Sequence, residues 1–526
     1  MSSTHATSGA HASALGPAVR RLPKVGARGL AYLGLLAAAP LLPHLSSNVF
    51  FFPAVSNGWV CLPFCALMLL PLLDLRALRR ARQLDLLALA ALSISLVYWR
   101  QWREWPTLLA CALLVFLAMR MLAIARAPDR PDPSSAPSSG GRPIATETEW
   151  SRASRHEGLR LPNSWLLLGI AVLAAVHIGW GLAGSARVDV GESGVQGAQS
   201  IIHGRPLYGR LASERRVDRH LDTYGPADYE AYLPFVGLLS GGYGAARLTT
   251  VFFDLLTALL LFLLGRRVRG PSSGIALAYC WLAFPFTLYC DALGLNDPIL
   301  AAALVGTLLA AASPLRRGAA AALAVWVKFS PLALLPLLAT HGAGAHARSR
   351  VLRFCVAFLL ASVLLFVPAL LHGSLATFAS RSFGFQTGRP PFVSIWSVLI
   401  QRFSAAAPSI VTASRVAHGL LAALTGALAL ALPAIRRRTD VVGLAAACAA
   451  LTIALELCLS YYAFSYVLWF APLVLVAAIL DALPVERTAQ AQPRATTRSR
   501  DLGDSGHLGH LLRDLGGLRA LGRQTP

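Results

Sequence analysis

The feature that most constrains this chain is the recurrence of long, unbroken apolar runs. They fall near residues 29–45, 58–75, 84–99, 106–124, 164–184, 246–264, 272–291, 296–312, 318–340, 351–371, 409–433, 440–458 and 462–482. Runs of this kind approach the length of helix that crosses a hydrocarbon layer of ~30 Å. In lipid every backbone amide needs an internal partner, so such runs fold as helices. A membrane β-barrel would instead show alternating segments of about ten residues. The chain is 56% hydrophobic and 14% charged. A soluble domain carries about 25% charged residues, so neither a soluble fold nor a largely disordered chain fits. The fold class read from the sequence is an all-α polytopic membrane protein.

Charge sets the orientation. The formal net charge is +22, and basic residues gather on the cytoplasmic side of membrane proteins and against anionic headgroups. Membrane lipid is the partner this implies. No zinc-finger, RRM or KH pattern points to nucleic acid. Placing the clusters at Arg76–Arg82, Arg120/Arg126, Arg266–Arg269, Arg316/Arg317, Arg348–Arg353 and Arg436–Arg438 inside requires residues 318–340 to enter and leave on one side. Pro331 and Pro336 make a broken, re-entrant pair reasonable there. The expectation is about 12 transmembrane helices plus that pair, with both termini inside. Residues 185–245 and 372–408 then become long outer loops.

The regions divide as 1–126, an N-terminal membrane part of four spans; 127–163, a Pro/Ser/Gly-rich cytoplasmic linker; 164–482, the main membrane region; and 483–526, a disordered basic tail. The eight cysteines contain no Cys-x-x-Cys and are scattered in apolar runs, which argues against disulfide or zinc frameworks. No His/Asp cluster stands at ligand spacing along the chain, so no metal is expected.

Chemistry points to the first outer loop, which holds seven of the 25 acidic residues: Asp189, Glu192, Glu214, Asp218, Asp222, Asp228 and Glu230. Asp189 follows closely on a span, and Val195, Ala198, Ile201 and Ile202 recur at helical spacing, as in an amphipathic helix on the membrane surface. A carboxylate held there can take a proton from a hydroxyl. The same position suits an N-cap, and spacing alone favours the cap. In the loop, Asp222-Thr-Tyr224-Gly-Pro-Ala-Asp228-Tyr-Glu-Ala-Tyr232 sets aromatic faces beside carboxylates, a combination suited to sugar rings or to an interfacial anchor. Asn296-Asp297-Pro298 opens a helix and reads as a binding pair or as a cap. Lys328 is one of only two lysines. At membrane depth its charge costs ~2.5–3.5 kcal/mol, so it either binds an anionic group or snorkels to the interface. Arg389 and Trp396 lie in the second outer loop, where an Arg offers bidentate phosphate recognition. Glu456 is a further carboxylate in an apolar run.

Together these residues resemble a GT-C superfamily membrane glycosyltransferase, most like the glycosyltransferase family 87 (DUF2029) polyprenyl-phosphate-mannose-dependent mannosyltransferases. The resemblance is carried by Asp189 with the Gly204-Arg-Pro-Leu-Tyr208 close, Tyr224-Gly-Pro226, Tyr232-Leu-Pro-Phe235 and Asn296-Asp297-Pro298. It continues through Val327-Lys328-Phe329-Ser-Pro331, Arg389-Pro-Pro-Phe392 before Trp396, and Trp469-Phe-Ala-Pro472. No Asp-x-Asp is present; Asp189-Val-Gly-Glu192 stands in its place and leaves the choice between those two acids open. The resemblance implies an integral protein of a bacterial inner membrane, working on its outer face as a cell-envelope enzyme. It implies transfer of a hexose from a polyprenyl-phosphate-linked donor to a glycan or glycolipid acceptor, without a cofactor. Asp189 or Glu192 would act as base, and Tyr208, Asp222, Tyr224, Asp228, Asn296, Asp297, Lys328, Arg389 and Trp396 would contact substrate. The rival reading is a polyprenyl-lipid or glycolipid transporter, for which internal inverted repeats would be expected; none is evident.

Overall fold

Proline and short polar side chains fix where many of the helices begin. Pro226, Pro271, Pro285, Pro298 and Pro314 occupy first or second helical positions, where a missing amide costs nothing. Asp440 accepts from the Gly443 amide at 2.8 Å and Ser374 from that of Thr377 at 3.1 Å, so both are true N-caps. A computed structural model describes residues 26–41, 58–74, 78, 80–98, 104–129, 159–184, 186–209, 222–239, 241–385, 391–403 and 408–483. Arg389, Glu214, Asp218, most of the 127–163 linker and nearly all of the 483–526 tail lie outside them.

Among the described residues, seven helices are long and apolar enough to cross a membrane: Ala81–Tyr98, Glu104–Arg126, Asn163–Ala183, Tyr243–Arg269, Ala347–Leu371, Ser409–Ile435 and Phe464–Ala482. The pair Pro271–Leu282 and Pro285–Leu293, bent by 52°, makes eight if counted as one span. This is fewer than the twelve expected. Five other apolar runs form helices of only 10–17 residues: Ala27–Ala38, Val60–Leu69, Asp297–Leu309, Ser330–Thr340 and Val441–Leu457. Hydropathy reads the run, whereas proline and capping decide how much of it stays one straight helix.

The sharply bent pair lies at 271–293, where Pro285 interrupts a run that reads as continuous. The 318–340 stretch does break where its prolines suggest. Helix Pro314–Val327 ends at Lys328, whose backbone is extended at φ −143°, ψ 145°, and a 3₁₀ turn Ser330–Leu334 leads into Leu335–Thr340.

Burial distinguishes the central helices from the peripheral ones. Phe464–Ala482 is 83% buried across its apolar window, whereas Ala347–Leu371 and Ser409–Ile435 are 22% and 17% buried. On the last two, Leu360, Leu364, Leu424 and Leu430 point outward, as lipid-facing side chains do. The core is continuous from Tyr32 and Phe64 to Trp281, Phe286 and Phe470, so the N-terminal helices share it. Tyr32 donates to Trp165 O at 2.8 Å and Tyr279 to Leu67 O at 3.0 Å. Several basic residues assigned to the cytoplasmic side tie helices together: Arg438 reaches Asp440 at 2.9 Å and Asp481 at 2.5 Å, and Arg120 reaches Asp85 at 2.9 Å.

Candidate functional site

Helix Asp189–Ile202 turns toward the protein a face of small residues, Gly191, Ser193, Gly194, Gly197 and Ala198. A Cβ at Gly194 would stand 2.3 Å from the Tyr232 ring, and one at Gly197 would stand 2.1 Å from that of Tyr229. The helix therefore docks on two buried tyrosines of the loop 224–232. This corrects the membrane-surface reading: Val195 and Ala198 are buried in protein, while Ile202 is exposed.

The approach to Asp189 is held from behind. The Val188 amide donates to Tyr243 Oη at 2.8 Å, Tyr243 donates to Leu293 O at 2.7 Å, and Arg247 donates to Ala186 O at 2.6 Å. Asp189 is the first helical residue rather than the cap; the cap position is Val188, which makes no side-chain bond. The half-buried Asp189 carboxylate accepts from the Val190 amide at 3.0 Å. One turn on, Glu192 accepts from Gln196 at 3.1 Å and faces a cleft of about 270 Å³, lined also by Arg187, Gln199 and Tyr243.

The second assembly is centred on Lys328. Because the chain is extended there, the ammonium leaves the helix end and reaches Asp297 Oδ1 at 2.5 Å. The Trp469 indole N–H donates to the same oxygen at 2.6 Å. The rings of Trp469, Tyr466 and Tyr224 surround the ammonium, with centroids 5.1, 5.4 and 5.7 Å away, within cation–π range. Asp297 therefore does not cap its own helix. Beside it, Asn296 Nδ2 donates to Asp228 Oδ1 at 2.9 Å, while Asp228 Oδ2 and Asn296 Oδ1 are buried with no hydrogen bond. Burial pushes the Asp228 carboxyl up to about 8 against the opposing pull of Lys328 and Asn296, so at neutral pH it is mostly protonated. Glu230, also raised by burial, titrates at about 8. Glu456 is fully buried, and neither of its oxygens has a hydrogen bond.

The structure thus brings together Tyr224, Asp228, Asn296, Asp297 and Lys328, five of the residues singled out from the sequence. Tyr208 and Asp222 brace the wall behind them. Tyr208 donates to Tyr224 O at 3.0 Å, and Asp222 accepts from the Gly209 amide at 2.5 Å, 3.7 Å from Arg381 Nε. Trp396 is used elsewhere: its N–H donates to Leu457 O at 2.9 Å and its ring stacks on His418. Trp469 and Tyr466 were not among the sequence's site residues. The Trp469-Phe-Ala-Pro472 motif was visible, but nothing local pairs it with Asp297. The fold also gathers His177, Asp254 and Asp291, which are far apart along the chain. The available signal was an ionisable residue inside each of three apolar runs.

An all-helical membrane fold with a buried lysine, paired acids and an aromatic surround defines a membrane protein with a polar site inside its bundle. Residues 223–460 match the model of Glycosyltransferase family 87. That stretch holds Tyr224, Asp228, Asn296, Asp297, Lys328 and Glu456; Asp189 and Glu192 precede it, and Tyr466 and Trp469 follow. The similarity over residues 223–460 supports a glycosyltransferase, and the helical architecture is consistent with the GT-C superfamily. Neither a curated protein nor a solved structure gives a match.

Proposed function

We propose that the protein transfers a hexose from a polyprenyl-phosphate-linked donor to a hydroxyl of a glycan or glycolipid acceptor at the outer membrane face. The observation that carries this reading is the Lys328 ammonium, held by Asp297 and Trp469 inside three aromatic rings. A cation in a water-poor site neutralises a leaving phosphate far better than it could in water. Aromatic faces beside it suit the C–H surface of a sugar.

In the reaction the acceptor O–H gives its proton to Asp189 as its oxygen bonds to the anomeric carbon. The bond from that carbon to the phosphate oxygen breaks, its electron pair leaves with the phosphate, and the configuration inverts. Lys328 receives the phosphate, exchanging part of its bond to Asp297 for one to the leaving group. Asn296 and the protonated Asp228 offer hydrogen-bonding atoms to sugar hydroxyls. The pinning of Val188 by Tyr243 supports a fixed Asp189, as a positioned base requires.

The test is to incubate purified protein with a panel of polyprenyl-phosphate sugars, mannose first, and to analyse the lipid products. Transfer from a soluble nucleotide sugar alone, with none from any lipid donor, would overturn the donor class. Outer placement is read from single cysteines in a cysteine-free background. Ser374→Cys should react with an impermeant thiol reagent from outside, and Thr439→Cys should not.

A further inference from the structure

Apart from the Lys328 assembly, three ionisable side chains from three apolar helices meet in the interior. His177 comes from Asn163–Ala183, Asp254 from Tyr243–Arg269 and Asp291 from Pro285–Leu293, and all three are fully buried. One ligand-capable atom of each lies within 4.8 Å of the others. His177 Nδ1 stands 2.5 Å from Asp291 Oδ2 and 3.1 Å from Asp254 Oδ2.

On the far side of the ring, Nε2 is 2.8 Å from Leu282 O. A carbonyl only accepts, so Nε2 carries a hydrogen. A proton lies in the 2.5 Å hydrogen bond between Nδ1 and Asp291 Oδ2, and an ion that displaces it meets an Nδ1 lone pair aimed at both carboxylates. This is the tautomer, and the outer hydrogen bond to a backbone carbonyl, that a metal-ligating imidazole uses.

A neutral ring leaves two acids facing each other across it. Among the described residues the ion pairs of Asp254 and Asp291 go to His177 alone. Both oxygens of Asp254 and Oδ1 of Asp291 are buried without a hydrogen bond. Carboxylates desolvated in this way cost several kcal/mol each unless paired, and coordination is the other means of holding them.

We infer that His177, Asp254 and Asp291 form a site for a divalent first-row cation, bound through one imidazole nitrogen and two carboxylates. The two negative charges match the ion's two positive ones. The mixed nitrogen and oxygen donors suit Zn²⁺ or Mn²⁺ better than Mg²⁺, which prefers oxygen throughout. The ion takes no part in the transfer. It ties three helices together, and Asp291 leads through the Gly294 turn to Asn296 and Asp297, so it also steadies the strut beneath Lys328. Gly294 has a left-handed backbone, φ 67°, in the turn between them.

The test uses the full chain purified in detergent, stripped with EDTA and titrated with ZnCl₂ or MnCl₂. Bound metal is read by mass spectrometry and Tm by thermal melting. Wild type should take up about one ion per chain, with Tm rising in step and levelling off. Asp254→Asn, Asp291→Asn and His177→Gln should lose both responses, while Glu230→Gln keeps them. If a triad variant does not fold, the wild-type titration still decides. Stripped wild type that binds neither ion overturns the site, and the triad is then a proton-sharing imidazole–carboxylate network. Undiminished uptake by a folded Asp254→Asn protein overturns it equally. No sugar transfer is read, so this outcome is independent of the donor and acceptor proposed above.

Discussion

The turn that carries Asp189 and the assembly around Lys328 solve opposite problems. Asp189 and Glu192 are half-buried at the edge of a cleft, one bonded to its neighbour's amide and the other to a residue one turn on. Their surroundings fix the backbone and leave the carboxylates open. Lys328 is enclosed, with Asp297, Trp469 and two tyrosines meeting its ammonium. A group that must accept a proton needs a fixed position and access to the acceptor, whereas one that must stabilise a developing charge needs an enclosing, preorganised surround. The comparison implies that substitutions at the first place alter rate and those at the second alter both binding and stability.

The largest expected effect is on rate. Asp189→Asn keeps the acceptor atom facing the Val190 amide but cannot take a proton. Turnover should fall ~10²–10⁴-fold with Tm and donor affinity near wild type, and Glu192→Gln should be milder. An active Asp189→Asn enzyme would remove the base from this turn. If only Glu192→Gln is inactive, the role moves one turn along.

Lys328→Met should act on both quantities. Donor affinity should fall about ten- to a hundredfold, the value of one charge-assisted contact. Asp297 would be left buried without its cation, at a cost of ~3–5 kcal/mol. The double variant Lys328→Met/Asp297→Asn separates the two effects: stability should recover while donor affinity does not. Recovery of affinity as well would mean that the lysine is structural only.

Gly197→Ala places a methyl against the Tyr229 ring and should cost ~1–3 kcal/mol in a melt, with turnover reduced because the Asp189 helix lifts off its floor. Gly179→Ala, where a Cβ would meet nothing within 4 Å, is the matched control.

The remaining effect is a pH dependence. Asp228 is raised from 3.8 to about 8 by burial. The folded protein therefore holds a proton that the unfolded chain releases at lower pH. This contribution to stability is full at or below the lower value and declines as pH rises through about 8. Tm should drop between about pH 5 and pH 9, and Asp228→Asn, which resembles the protonated acid, should flatten that slope. An unchanged slope would place the titration on Glu230.

How much of this the sequence carried depends on how local each signal is. The helical class followed from the apolar runs, and the break at Lys328 from two prolines within eight residues of it. The 52° bend at Pro285 did not stand out, because one proline in a continuous run is also compatible with a straight span. Asn296–Asp297 was visible as a pair but ambiguous as a cap. Only the partners Lys328 and Trp469, from distant helices, resolve it. The docking face of helix Asp189–Ile202 was misread because its glycines look like gaps in an apolar pattern, when they are the contact surface. Trp396 was placed by motif, and its indole N–H proves committed to a backbone carbonyl.

The enclosure of Lys328 has a spectroscopic consequence. With lysine only at positions 24 and 328, protein grown on isotope-labelled lysine gives two side-chain signal sets in an otherwise silent spectrum. Three rings with centroids 5.1–5.7 Å from the Lys328 nitrogen impose ring currents on its neighbouring methylenes. That set should stand away from ordinary lysine positions and move when an anion enters among the rings. The residue proposed to receive the leaving phosphate is then also a built-in reporter of its arrival.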